Sequence, residues 1–271
     1  MIRLKYLLVG VTLLLGLAIL LSLDTPPKSE PIVEDLLKST QTIDTTAIDT
    51  VQYQLHRLGT NNYSIDLRQI KHDRAFLLAQ NNASISDSAK DLFIKLAGER
   101  IESSLVNSVF HYWYGTPWDF DGYTNTPNKG VVACGYFVST TLKHIGFNLN
   151  RYRLAQQNPR NEALSIACGD SVSEFNEMTT NDVVAGISIL DSGLYFVGLD
   201  NHVGFILVRQ QTVFFIHASY VGDDGVCIEF ANQSSAFASS SSYVLAPITT
   251  NRNLLNKWIK GEEITVLTSS D

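Results

Sequence analysis

The chain has 271 residues, enough for one sizeable core and a small additional helical region once its N-terminal segment is set aside. Twenty Lys and Arg face 27 Asp and Glu, a net charge of −7. No cationic cluster or glycine-rich phosphate loop occurs, so no nucleic-acid partner is expected. The three cysteines lack Cys-x-x-Cys spacing, and no internal repeat is evident.

Met1 to Tyr6 carries Arg3 and Lys5, and Leu7 through Leu23 is an uncharged, leucine-rich run. No small-x-small cleavage pattern follows it and no lipidation cysteine is present. Residues 1–23 therefore read as an uncleaved single-pass anchor with its basic end inside, favoured over a cleaved signal peptide. The remainder is expected on the extracytoplasmic side of the cell membrane, or secreted or periplasmic if the segment is removed. Residues 24–31, with Pro26, Pro27 and Pro31, read as a linker. Residues 32–85 mix short apolar groupings with Thr, Asn and Gln; they read as partly helical, with no function assigned.

Ser86 is a good N-cap, and Ala89, Leu92, Phe93, Leu96, Ile101, Leu105, Val109 and Tyr112 follow at helical spacing, up to the stop at Gly115-Thr116-Pro117. In Gly130-Val131-Val132-Ala133-Cys134-Gly135-Tyr136 a glycine-containing loop meets a second helix. Phe137, Val138, Thr141, Leu142 and Ile145 form that helix's apolar stripe, and Gly146 sits at its C-cap. Cys134 then falls at the helix start, where unpaired N–H groups and the helix dipole are expected to lower its pKa below about 8.5. Asn148 to Asn181 is polar with scattered apolar residues and reads as an insertion or lid.

Strands are expected at Val183–Leu190, Gly193–Gly198, Val203–Val208, Val213–Ala218, Val226–Phe230 and Tyr243–Ala246, with a serine-rich loop at 234–242 and a short helix at Asn253–Lys260. Arg209-Gln210-Gln211 is a short hairpin connection, so His202, opening one strand, and His217, closing the next, lie on neighbouring strands. A helix-start cysteine, a histidine to take its proton and a second polar residue to orient that histidine constitute the generalised nucleophile triad.

Cys134 at a helix start, His202 in His-Val-Gly and His217 in Ile-His-Ala-Ser resemble the NlpC-type cysteine peptidases, a papain-like superfamily. Tyr112-Trp113-Tyr114-Gly115-Thr116-Pro117-Trp118 is similar to the segment that precedes the nucleophile there. The resemblance implies an α+β, papain-like fold with the nucleophile helix packed on an antiparallel sheet. It implies a catalytic domain over 86–250 and a C-terminal extension over 251–271. Cys134 would be nucleophile, His202 general base and His217 the orienting member. Tyr114, Trp118, Asp119 and Asp121 would line the substrate cleft, although the two aspartates also fit ordinary turn chemistry.

The family's Asp-Cys-Ser-Gly is replaced by Ala133-Cys134-Gly135-Tyr136, which removes the Asp and Ser that help hold the free amine of a peptidoglycan stem peptide. The implied activity is a cysteine hydrolase acting on an amide bond, with peptide or peptidoglycan-like substrates. An idle envelope binding protein of the same fold and a papain-like acyltransferase are the alternatives. Cys134, His202 and His217 could also supply three zinc ligands, but no paired ligand spacing supports that, and neither a metal nor another cofactor is expected. For Cys168 and Cys227 the plainer reading is burial; a disulfide between them would leave Cys134 the single free thiol. His56, His72, His111 and His144 have polar or turn-like neighbours and read as surface or interfacial residues.

Overall fold

The computed structural model describes residues 62–83 and 86–268. The segment read as a membrane anchor, the stretch read as a linker and His56 lie outside the described residues. Among the described residues no helix is long and apolar enough to cross a membrane.

The architecture is α+β, built on a six-stranded antiparallel sheet. Helices α1 (Tyr63–Ala83) and α2 (Asp87–Ser104) come first. The second runs through a π-helical turn, Leu105–Val109, into α3 (Phe110–Trp113), so the expected long helix is present with one widened turn. Its apolar stripe is buried as expected at Leu96, Ile101, Leu105 and Val109, whereas Leu92 is exposed. The chain then forms α4 (Cys134–His144), α5 (Arg151–Ala155) and α6 (Pro159–Ala167). Strand β1 (Ser173–Asn176) and α7 (Thr180–Ser188) precede β2 (Gly193–Gly198), β3 (Val203–Arg209), β4 (Thr212–Ala218) and β5 (Val226–Phe230). A helical turn α8 (Ser235–Ala238), strand β6 (Ser242–Pro247) and α9 (Arg252–Lys260) complete it. The strand order is β1-β6-β2-β3-β4-β5.

Side-chain alternation along the strands sorts the sheet into two faces. Phe196, Phe205, Leu207, Phe214, Ile216 and Ile228 point into a large core shared with α1, α2, α4 and α9, where Trp113, Phe137 and Trp258 are fully buried. Burying a side chain of this size contributes roughly 1.5–3 kcal/mol each. Tyr195, Val197, Ile206, Val208 and Phe215 point the other way, onto α7 and α8. Helix α9 docks through the Trp258 indole N–H, which donates to the Ile145 carbonyl at 2.8 Å, and is capped by Asn251.

The segment read as a strand at Val183–Leu190 is instead helix α7. Thr179 caps it, accepting from the Asp182 amide, and Val183 and Ile187, four residues apart, are its buried pair. Polar β1 pairs with β6 at the sheet margin and carried no strand signal in its sequence. The serine-rich stretch contains a helical turn capped by Ser234 rather than being loop throughout.

Candidate functional site

Cys134 is the first residue of α4, preceded by Ala133 in an extended conformation, and is partly buried. Val203, the residue after His202, offers its backbone N–H to the Cys134 sulfur, and the amides of Gly135 and Cys134 itself do the same. These donors favour a thiolate, as the helix start leads one to expect. Burial outweighs them and pushes the Cys134 thiol up to about 11, a departure from the lowered value read from the sequence. The helices after Cys134 account for this crowding: a Cβ at Gly135 would sit 2.8 Å from the Ala155 carbonyl oxygen, so α5 ends directly against the start of α4. Glycine at 135 is thus a steric requirement, and α5 backbone occupies the space a serine would need.

The two histidines are brought together by the β3–β4 hairpin. Phe205 pairs with Ile216, so the start of β3 lies beside the end of β4. His202 Nε2 is 2.9 Å from His217 Nδ1, and both residues are buried. Gly204 makes the arrangement fit, because a Cβ there would come within 3.0 Å of the His217 Cβ and closer still to the Phe215 ring. The His217 imidazole stacks on Phe215, centroids 4.0 Å apart and planes 14° from parallel.

The chain of contacts continues beyond the expected three residues. His217 Nε2 is 2.9 Å from Glu229 Oε1 on β5. Glu229 was not anticipated; its only sequence signal is a carboxylate within the otherwise apolar strand Val226-Cys227-Ile228-Glu229-Phe230. His217 pairs with Cys227, and Cys227 and Glu229, two residues apart on one strand, share a face. Burial works against the Glu229 charge, but hydrogen bonds from His217 and Ser234 hold its carboxyl below the ordinary value. Burial depresses both histidines, His202 further by the neighbouring His217, so the relay holds neutral imidazoles ending on a carboxylate.

Of the expected cleft residues, Trp118 fits best: its ring lies 6.1 Å from Tyr220, whose ring lies 5.1 Å from His202, an aromatic row leading to the imidazole. Tyr114 is buried beside Cys227 and belongs to the core. Asp119 and Asp121 are exposed and form a turn in which the Asp119 carboxylate accepts from the Asp121 amide at 2.9 Å. Asp200, just before His202, accepts from the Ser241 amide and hydroxyl and fastens that turn to the start of β6.

All three cysteines are free, so Cys168 and Cys227 are not joined; both are partly buried, and Cys168 takes a left-handed conformation at the end of α6. His144 meets Tyr63 across the α1–α4 contact and burial lowers it to about 4; His72 is exposed. Burial also lowers His111. Near Cys134, Glu162 on α6 is fully buried with Oε2 lacking a hydrogen-bond partner, and burial raises its carboxyl well above the ordinary value. The zinc set considered from sequence does not assemble. Among the described residues the grouped metal-type donors are His217, Cys227 and Glu229.

Comparison with family models, curated proteins and solved structures finds no match to this chain.

Proposed function

We propose that this protein is an extracytoplasmic cysteine hydrolase of the papain-like type that cleaves an amide bond, with peptide or cell-wall peptide substrates. The observation that carries the reading is the continuous line His202–His217–Glu229, together with the backbone N–H of Val203, the residue after His202, at the sulfur of the helix-start Cys134. With Glu229 ionised, His217 donates from Nε2 to the carboxylate, and its Nδ1 accepts from His202 Nε2–H. That tautomer leaves His202 Nδ1 as the base for the Cys134 thiol. Cys134 Sγ then attacks the carbonyl carbon while its proton passes to His202. The tetrahedral intermediate expels the amine, which takes that proton, and water hydrolyses the resulting thioester. The Cys134 amide N–H is a candidate oxyanion donor, worth about 3 kcal/mol of barrier.

Both partners are uncharged at rest, a thiol pushed up to about 11 and a depressed imidazole, so the nucleophile forms by proton transfer during attack rather than as a standing ion pair. The α5 backbone against Gly135, together with Ala133, leaves no equivalent of the family's amine-holding pair, which favours substrates cut away from a free N-terminus.

The test is turnover of a panel of N-blocked and N-free peptidoglycan peptides by the full-length protein. Cys134→Ala and His202→Ala should each abolish release. Glu229→Gln, which turns the carboxylate acceptor into a donor toward His217 and forces the wrong tautomer, should lower kcat about 100-fold with KM little changed. Activity unchanged in Cys134→Ala would refute the reading. Cys134-dependent transfer to an added amine in place of hydrolysis would mark an acyltransferase, and tight binding without turnover would mark an idle binding protein.

A further inference from the structure

His217 does double duty in this fold. Its Nδ1 faces His202 while its Nε2 lies 2.9 Å from Glu229 Oε1 and 3.6 Å from Cys227 Sγ. The three donors lie within 4.8 Å of one another, with His217 buried and the other two partly so. Zinc bonds of about 2.3 Å to sulfur and about 2.0–2.1 Å to nitrogen, at a tetrahedral angle, put S and N about 3.6 Å apart, which is the separation found. The matching N···O edge is about 3.3 Å, so the His217–Glu229 contact would open by only a few tenths of an ångström. The backbone already fixes the set: His217 and Cys227 are cross-strand partners and Glu229 follows on the same face. The second shell is present too, since a metal-bound imidazole typically gives its other ring N–H to an acceptor, and His202 Nε2 stands there. Thiolate, imidazole and carboxylate together suit zinc rather than calcium or magnesium, which take oxygen ligands.

The geometry points to a zinc site formed by His217 Nε2, Cys227 Sγ and a Glu229 oxygen, with water in the fourth position, whose occupancy disables the Cys134–His202 pair. The effect on Cys134 rests on the function proposed above; the binding itself does not. Proton positions give the mechanism. Binding the ion removes the proton from the Cys227 thiol to solvent and requires His217 Nε2 to be bare. The His217 proton must then sit on Nδ1, donating to His202 Nε2, and the His202 proton must sit on its own Nδ1. Each imidazole remains neutral and one proton leaves per ion. The nitrogen that would accept from Cys134 now carries a hydrogen, so the base is blocked without any residue moving far.

The test uses the full-length protein and zinc chloride, with a chromophoric chelator as competitor. One equivalent should bind. X-ray absorption should show a single sulfur at about 2.3 Å and nitrogen or oxygen neighbours at about 2.0–2.1 Å. Cys227→Ser and Glu229→Gln should each weaken binding at least about 10-fold, the lower end of what outer-shell partners alone contribute, while Cys134→Ala should leave it unchanged. One equivalent of zinc should slow alkylation of Cys134 at least 10-fold in the wild type and not in Cys227→Ser. Absence of stoichiometric binding, a spectrum without sulfur, dependence on Cys134, or full Cys134 reactivity in the zinc-loaded protein would overturn the proposal. If zinc binds as described but Cys134→Ala keeps peptide turnover, the metal site stands and the hydrolase reading fails. If turnover needs Cys134 but zinc does not bind, the reverse holds.

Discussion

At the scale of single residues, the electrostatics of this protein are dominated by burial. Two amides at the helix start, those of Cys134 and Gly135, and that of Val203 on β3 favour the Cys134 anion, yet removing the sulfur from water costs that anion more than those donors return, and the thiol stays protonated. Glu162 follows the same physics. Its carboxyl is buried with one oxygen unpartnered, so its folded pKa stands well above the ordinary 4.5. The folded state therefore prefers the protonated form. That preference is fully present below about pH 4.5 and is lost as pH rises toward the folded value, at about 1.4 kcal/mol per unit of separation. Glu162→Gln, which keeps shape and cannot ionise, should melt above the wild type at pH 8, with the gap closing toward pH 4.5 in calorimetry. A gap that is the same at both pH values would show that Glu162 ionises freely in the fold. Cys134, His202 and His217 were readable from sequence because a helix start and two strand ends announce themselves through periodicity and turn residues. Glu229 was not, because its role depends on the β4–β5 register that sets Cys227 opposite His217, and register is a tertiary property.

At the scale of elements, the β3–β4 hairpin determines whether the histidines meet. Its two connecting residues, Gln210 and Gln211, both have positive φ, 46° and 62°, the conformation of a two-residue type I′ turn that Asn-Gly adopts with least strain. The turn thus holds the strands in register at some conformational expense, and it was legible as a hairpin only because the flanking apolar runs are so clear. Replacing Gln210 with Asn and Gln211 with Gly should raise stability by about 1 kcal/mol, a Tm increase of roughly 2–4 °C for a chain this size, with the histidine relay undisturbed. A lower Tm would mean that the glutamine side chains, rather than the backbone, stabilise the turn. The misread α7 carries the complementary lesson. Val183, Val184, Ile187 and Ile189 look like strand residues by type, but Thr179 with Asp182 three residues on is a helix-start pattern, and the cap together with the four-residue spacing of the buried pair prevailed.

At the scale of the whole molecule, the sheet separates two apolar layers, and the relay runs at the end where β3, β4 and β5 come together. The N-terminal α1 and the C-terminal α9 share the larger core, so segments read from the sequence as lying outside the 86–250 domain help build that core. The β-branched and aromatic runs made five of the six strands legible close to their ends, and the α+β class implied by the family resemblance agrees with the sheet and helices found; the polar margin strand β1 was hidden because it buries little. On the proposed mechanism His202 activates Cys134. Burial raises Cys134 and Cys168 alike, to about 11, and raises Cys227 as well, so unaided ionisation gives none of the three an advantage at neutral pH. The decisive measurement is therefore site-resolved mass spectrometry of the full-length protein treated with a peptidyl epoxide at pH 7. One adduct is expected, on Cys134, formed at least about 100-fold more slowly in His202→Ala. Equal labelling of Cys168 or Cys227, or a Cys134 rate indifferent to His202, would contradict it.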